Sequence, residues 1–282
     1  MQNDTVKNLL NKYGIKPQKR LGQNFLIDES VLEKIITAAE ISQNDTILEI
    51  GPGLGILTFE LTKKGRQVIA VEKDKNLARI LNEELRIKKI KNTKVISGFK
   101  LKIYNSLFSI LDSYKIVANL PYYIVSPVIR MFLETENKPE LMVLMVQKEV
   151  AQRICAKPPR MSILAVAIQF YARPEIVSEV LKTSFYPQPK VDSAILRIKP
   201  RIDTNKITNN HEFDTKKFFN LVKAGFSSKR KFLISNICGK IQISKSECQS
   251  LFEKIEIDAK SRAENLSIDD WIKIYGEIEN IL

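Results

Sequence analysis

The sequence predicts an α/β domain built on a mostly parallel sheet, followed by a small all-helical domain. Three observations carry this reading. Continuous apolar runs rich in β-branched residues alternate with segments of helical spacing, a glycine-rich loop joins the first such run to the first helix after it, and past Pro200 only helical periodicity remains.

In chain order, Thr46–Ile50 is a short apolar run that ends at glycines. Ile56–Lys64 has helical spacing through Leu57, Phe59 and Leu61, and Gln67–Val71 reads as a second buried strand. Asn76–Ile87 places Leu77, Ile80, Leu81 and Leu85 on one helical face. Thr93–Ser97, Lys115–Asn119, Leu141–Gln147, Glu175–Lys182 and Val191–Ile198 are strand-like, with helices expected at Val125–Glu134 and Glu149–Cys155. Strands apolar on both faces belong to a sheet covered by helices on both sides. Ile202–Glu212 is polar and reads as a linker, and beyond it Phe218, Phe219, Val222 and Phe226 keep helical spacing. The expected domains are therefore residues 1–200 and 201–282, with a basic arm at the start of the first.

Composition removes several classes of function. The 282 residues are 44% hydrophobic, ordinary for a chain with a real core, and no apolar run approaches the roughly 18 residues a membrane span needs. The first nineteen residues lack the apolar stretch of a secretory signal, so a cytoplasmic monomer with no membrane association is expected. Cys155, Cys238 and Cys248 have no metal-ligand spacing, and His211 stands alone in a polar stretch, so no metal and no histidine-based catalysis are expected. The net charge is +13, and the excess sits in the first 200 residues, which carry 31 basic and 20 acidic side chains. That imbalance suits a polyanionic partner, because neutralising phosphates releases counterions.

The loop Glu49-Ile50-Gly51-Pro52-Gly53-Leu54-Gly55 lies where open α/β sheets bind ligands. Its Gly-x-Gly-x-Gly spacing is not the Gly-x-Gly-x-x-Gly that seats a pyrophosphate, which counts against a nicotinamide-dependent dehydrogenase. Glu49, just before the loop, suits a cationic methionine moiety better than a pyrophosphate. Glu72 ends the second strand, where an acid accepts hydrogen bonds from both ribose hydroxyls. Together these favour S-adenosylmethionine over a dinucleotide, although the loop alone reads equally as a structural turn.

Asn119-Leu120-Pro121-Tyr122-Tyr123 follows the fourth strand. An exocyclic adenine amine is a weak nucleophile because its lone pair is conjugated into the ring. Two oxygen acceptors, the Asn119 amide and the Leu120 carbonyl, would position it and stabilise the charge that develops on nitrogen. Pro121 restricts Leu120 to an extended conformation and so aims that carbonyl. Tyr122 can stack on an extruded base. In isolation the same residues are an ordinary proline turn.

Further motifs join these: Lys19-Arg20-Leu21-Gly22-Gln23-Asn24-Phe25-Leu26, Phe185-Tyr186-Pro187-Gln188-Pro189-Lys190-Val191, Phe226-Ser227-Ser228-Lys229-Arg230-Lys231 and Arg262-Ala263-Glu264-Asn265-Leu266. In this order, over nearly the whole chain, the sequence resembles the bacterial small-subunit ribosomal RNA adenine dimethyltransferases of the KsgA/RsmA group, related to the Erm enzymes. The resemblance implies a Rossmann-like class I methyltransferase domain. It implies cofactor contacts at Asn24, Leu26, Gly51, Gly53, Glu72 and Asn119, and a target adenine sandwiched between Tyr122 and Phe185. It implies RNA contacts from Lys16, Lys19, Arg20, Lys229, Arg230 and Lys231. The implied substrate is a pair of adjacent adenosines near the 3′ end of 16S rRNA in the immature small subunit. The family usually carries Gly-Asp-x-Leu after the third strand, and here the run is Gly98-Phe99-Lys100-Leu101. Phe99 offers the cofactor's adenine an apolar contact in place of a hydrogen-bond acceptor, which implies weaker cofactor binding with activity retained. An Erm-type enzyme acting on 23S rRNA and a non-catalytic ribosome-assembly factor are the alternatives.

Overall fold

A computed structural model describes residues 2–98, 113–201, 213–241 and 244–279. Phe99 and His211 lie outside the described residues. The chain divides into two compact units, Met1–Ala151 with Pro174–Pro200, and Gln152–Arg173 with Arg201–Leu282.

The first unit begins with helix α1 (Gln2–Lys12), the two-residue strand β1 (Phe25–Leu26) and helix α2 (Glu29–Ala38). The alternating core follows as β2 (Thr46–Ile50), α3 (Ile56–Lys64), β3 (Gln67–Glu72), α4 (Lys75–Ile87), β4 (Thr93–Ser97), β5 (Lys115–Asn119), α5 (Val125–Leu133), β6 (Leu141–Gln147) and α6 (Lys148–Ile154). Strands β7 (Ala172–Val180), β8 (Phe185–Tyr186) and β9 (Ser193–Pro200) come later in the chain. Seven strands form one sheet in the order β4-β3-β2-β5-β6-β9-β7. From β4 to β6 the pairing is parallel, and β9 runs antiparallel to β6. Every residue of β2 is buried, Glu49 included, which accounts for the apolar Ile47, Leu48 and Ile50. The strand order reverses direction at β2, between β3 and β5, so the carboxyl ends of these strands open a ligand crevice.

The sequence places α3 to the residue, and the α4 face formed by Leu77, Ile80, Leu81 and Leu85 is buried. The N-terminal arm differs from its polar reading. Within α1, Val6, Leu9 and Leu10 are buried in the core, and Glu84 Oε1 of α4 accepts hydrogen bonds from Lys12 Nζ at 2.6 Å and Tyr13 Oη at 2.7 Å. Strands β1 and β8 form a separate antiparallel pair, Phe25 opposite Tyr186 and Leu26 opposite Phe185.

The second unit contains α7 (Ile163–Tyr171), α8 (Thr215–Gly225), α9 (Leu233–Ile241), α10 (Lys245–Lys254) and α11 (Ile268–Glu279). The sequence reading drew the boundary at residue 200, whereas the 152–173 segment clusters with the helical unit. Aromatic packing explains this. Phe170 of α7 stacks on Phe218 with ring centres 4.9 Å apart and on Phe213 at 5.6 Å, burying large apolar area with favourable ring geometry. Trp271 is fully buried beneath Phe226. Among the described residues, no helix is long and apolar enough to cross a membrane.

Candidate functional site

The three loop glycines that follow β2 all adopt left-handed backbone, with φ of 72° at Gly51, 59° at Gly53 and 84° at Gly55. That conformation is costly for a residue with a Cβ. Space is short as well: a Cβ on Gly55 would lie 2.5 Å from Leu81 Cδ1, and one on Gly53 would lie 3.1 Å from the Phe25 ring. The loop is thus pressed between α4 and the β1 segment.

Glu72, at the carboxyl end of β3, closes this arrangement. Its Oε2 accepts from Gly53 N at 2.9 Å and its Oε1 from Asp74 N at 2.8 Å. The side chain is only 6% exposed, and burial raises its pKa against these two amides. Each oxygen retains a lone pair beyond its backbone bond. Glu49 is 1% exposed, and among the described residues its Oε2 has no hydrogen-bond partner. Burial pushes its pKa up to about 8, with the Thr58 hydroxyl opposing and the Glu72 charge adding to the rise.

Glu49 and Glu72 line one cleft together with Gly22, Asn24, Phe25, Leu26, the glycine loop, Asn119, Pro121 and Tyr123. Asn119 enters from the end of β5, and its Nδ2 donates to the Asn24 carbonyl at 3.2 Å, a bond that does not use Oδ1. The next residues turn sharply: Pro121 is extended at φ −55° and ψ 131°, and Ile124 N bonds the Pro121 carbonyl at 3.1 Å. Leu120 is buried beneath this turn.

The structure thus brings Asn24, Leu26, Gly51, Gly53, Glu72, Asn119 and Pro121 to one cleft. It does not bring Leu120, Tyr122 or Phe185 to the cleft's lining. The Tyr122 hydroxyl pairs with Ser193 Oγ at 2.9 Å, and Phe185 is 3% exposed within the core. The aromatic ring at the mouth is Tyr123, 54% exposed, with Lys73 Nζ 5.7 Å from its centre. Sequence reasoning missed Tyr123 because adjacent tyrosines carry no signal of which one turns outward. Lys16, Lys19 and Arg20 are exposed in the first unit, the last two in a 3-10 turn at Lys19–Leu21. Lys229, Arg230 and Lys231 are exposed in the second.

Glu49 gives a pH-dependent expectation. Its folded pKa, about 8, lies above the ordinary 4.5, so between these values the folded form keeps a proton that the unfolded chain has released. Stability from this site is therefore full below pH 4.5 and is lost as pH rises through 8. A Glu49→Gln variant should melt progressively higher than the wild type as pH rises from 5 to 8. A melting difference independent of pH would contradict the buried-acid assignment. Binding a cation beside Glu49 favours its ionised form and should release a proton, seen as a binding heat that depends on the buffer.

The comparisons agree with this architecture. The sequence matches the family described as Ribosomal RNA adenine dimethylase over residues 14–280. A Dehalococcoides mccartyi protein named Ribosomal RNA small subunit methyltransferase A is 46% identical over 273 residues, covering 95% of this chain and 91% of the relative. A Clostridium botulinum protein of the same name is 42% identical, covering 98% of this chain and 99% of the relative. Among solved structures, a dimethyladenosine transferase from Plasmodium falciparum superposes with a TM-score of 0.77 at 26% identity, over 91% of this chain and 98% of that one. The 23S rRNA methyltransferase ErmE shares the fold with a TM-score of 0.73 at 24% identity, over 91% of this chain and 100% of its own. With that family matched across nearly its whole length, the chain belongs to the ribosomal RNA adenine dimethylases.

Proposed function

We propose that this protein transfers methyl groups from S-adenosylmethionine to the exocyclic N6 amines of two adjacent adenosines near the 3′ end of 16S rRNA in the immature small subunit. The observation that carries the proposal is the Asn119 side chain at the cleft, its Nδ2 held by the Asn24 carbonyl in a bond that does not use Oδ1. Relatives named small-subunit methyltransferases, at 42% to 46% identity over nearly the full chain, favour the small subunit over an Erm-type substrate.

The residues present fit S-adenosylmethionine. Among the described residues Glu49 Oε2 is an orphaned acceptor whose ionised form a positive charge would favour, the left-handed glycines leave room for close backbone approach, and Glu72 keeps lone pairs for two ribose hydroxyls. When bound, the cofactor supplies an electrophilic methyl group on a sulfonium. The protein positions the acceptor: Asn119 Oδ1 and the Leu120 carbonyl take the two amine hydrogens, which turns the nitrogen lone pair toward the methyl group and stabilises charge on nitrogen as it forms. No general base is needed before attack, because the amine proton becomes acidic only as nitrogen gains the carbon bond. Leu26 and Ile56 keep the cleft apolar around the reacting atoms. Phe185 is buried and Tyr122 half-buried, so both take the base-stacking role by turning outward, while Tyr123 is already exposed. Lys16, Lys19, Arg20 and the Lys229-Arg230-Lys231 run hold RNA phosphates, a sequence-independent and salt-sensitive contribution.

The test is labelled methyl transfer to small subunits that lack dimethyladenosine, with large subunits in parallel. Incorporation into small subunits alone is expected. Incorporation into large subunits alone would establish the Erm-type reading, and none into either would establish a non-catalytic assembly factor.

A further inference from the structure

The acid two residues past Glu72 has a side chain with more partners than a helix cap requires. Asp74 Oδ1 caps α4, accepting from Asn76 N at 2.9 Å and Leu77 N at 3.4 Å. Its Oδ2 is not used in the cap. It accepts instead from Gln23 Nε2 at 3.1 Å and Gln18 Nε2 at 3.3 Å, both in the segment that precedes β1. The Gln23 amide is fixed at both ends, since its Oε1 accepts from Gln18 N at 2.8 Å. The next residue is Asn24, whose carbonyl holds Asn119 Nδ2. Gly22, left-handed at φ 66°, lies so close to Pro121 that a Cβ there would sit 3.3 Å from the proline Cβ.

We propose that Asp74 is a positioning residue for methyl transfer. Through Gln18 and Gln23 it locks the 18–24 segment against the Pro121 turn, so that the Asn24 carbonyl fixes which way the Asn119 amide points. The proposal rests on Asn119 being the amine's acceptor. Its chemistry follows from the asymmetry of an amide. An Asn119 side chain that loses its Nδ2 partner rotates freely, and in half of its orientations it presents a donor to an amine that also donates. Asp74 N also donates to Glu72 Oε1, so one residue braces both the ribose-binding acid and the amine acceptor. The role is one of aim rather than of contact: Asp74 itself is absent from the cleft's lining.

A reversed-polarity pair tests this. Asp74→Asn keeps the Oδ1 cap but turns Nδ2 toward two amide donors. Gln23→Glu sets one carboxylate against another. The double variant restores a donor–acceptor pair with the roles exchanged, and Glu at 23 still has an oxygen for Gln18 N. In single-turnover methylation of undermethylated small subunits at saturating S-adenosylmethionine, each single variant should lose about tenfold in rate with KM for the particle little changed, and the double should recover part of that loss, since Gln18 Nε2 still meets a donor at position 74. A double whose loss is the product of the singles, or singles at the wild-type rate, would overturn the proposal. Gln18→Ala leaves the cap and the Glu72 bond intact and should give a smaller loss in the same direction, which covers the case in which a single variant folds poorly. The side-chain amide nitrogen resonance of Asn119 reads the linkage without substrate: it should move in Asp74→Asn and return in the double, and an unmoved resonance would refute the linkage. If the wild type itself transfers no methyl group, the fault lies with the assigned reaction, and the resonance still decides the role of Asp74.

Discussion

Replacing Asn119 by alanine lowers the methyl-transfer rate by about 10²- to 10³-fold, the size of effect seen when one preorganised group facing developing charge is removed. The expectation follows from position. Asn119 lies at the end of β5, its Nδ2 is committed to the Asn24 carbonyl, and the acceptor it offers has no substitute in alanine. The side chain is half-buried at a cleft rather than in a packed core, so melting should change little. Asn119→Asp keeps an acceptor but loses the donor to Asn24 and sets a second oxygen against that carbonyl. Its rate should fall between those of the wild type and the alanine variant. Single-turnover rates with small subunits, set beside thermal melts, separate the two effects; an alanine variant at the wild-type rate would remove Asn119 from the mechanism.

Glu72→Ala should weaken S-adenosylmethionine binding by about 100-fold or more, because hydrogen bonds to a charged acceptor contribute about 1.5–3 kcal/mol each and two ribose hydroxyls lose theirs. Stability without ligand should change much less. The alanine frees Gly53 N and Asp74 N, which costs, but it also removes a carboxylate whose pKa burial has raised, a relief that opposes the loss. The signature is therefore a nearly normal melt without ligand and a missing upward shift when ligand is added. Calorimetric titration checks the affinity. Unchanged affinity would show that Glu72 serves only to brace the glycine loop.

What the sequence makes legible follows from how each element is buried. Strands β2, β3, β5 and β6 lie inside the sheet and are mostly buried, so each has an apolar run that stands out against its neighbours, broken in β2 by the buried Glu49. Helix α4 buries one stripe, and its 3.6-residue spacing is equally plain. Strands β1 and β8 are two residues each, too short for any period, and their pairing across about 160 positions is set by tertiary contact alone. The segment containing α7 precedes the Pro200 boundary in sequence, yet Phe170 finds its stacking partners in Phe213 and Phe218.

The site divides in the same way. Gly51, Gly53, Gly55, Glu72 and Asn119 are legible because each does something few other residue types can do at that spacing, whether left-handed backbone, paired acceptance or an amide beside a proline turn. Asp74, Gln18 and Gln23 are not legible, since their interaction joins residues about fifty positions apart and each looks like an ordinary polar surface residue. Tyr122 and Tyr123 illustrate a finer limit: the motif marks the turn, while the 3-10 geometry at Tyr122–Ile124 decides which ring faces the cleft.

The central claim is a reaction on small-subunit RNA at two neighbouring adenines. Mass spectrometry of 16S rRNA recovered from previously unmethylated small subunits, after incubation with the purified protein and S-adenosylmethionine, tests it most directly. The account predicts two adjacent N6,N6-dimethyladenosines near the 3′ end, absent when Asn119→Ala replaces the wild type on the same timescale. Methyl groups at any other base, or an unmodified 3′ end after full incubation, would contradict it.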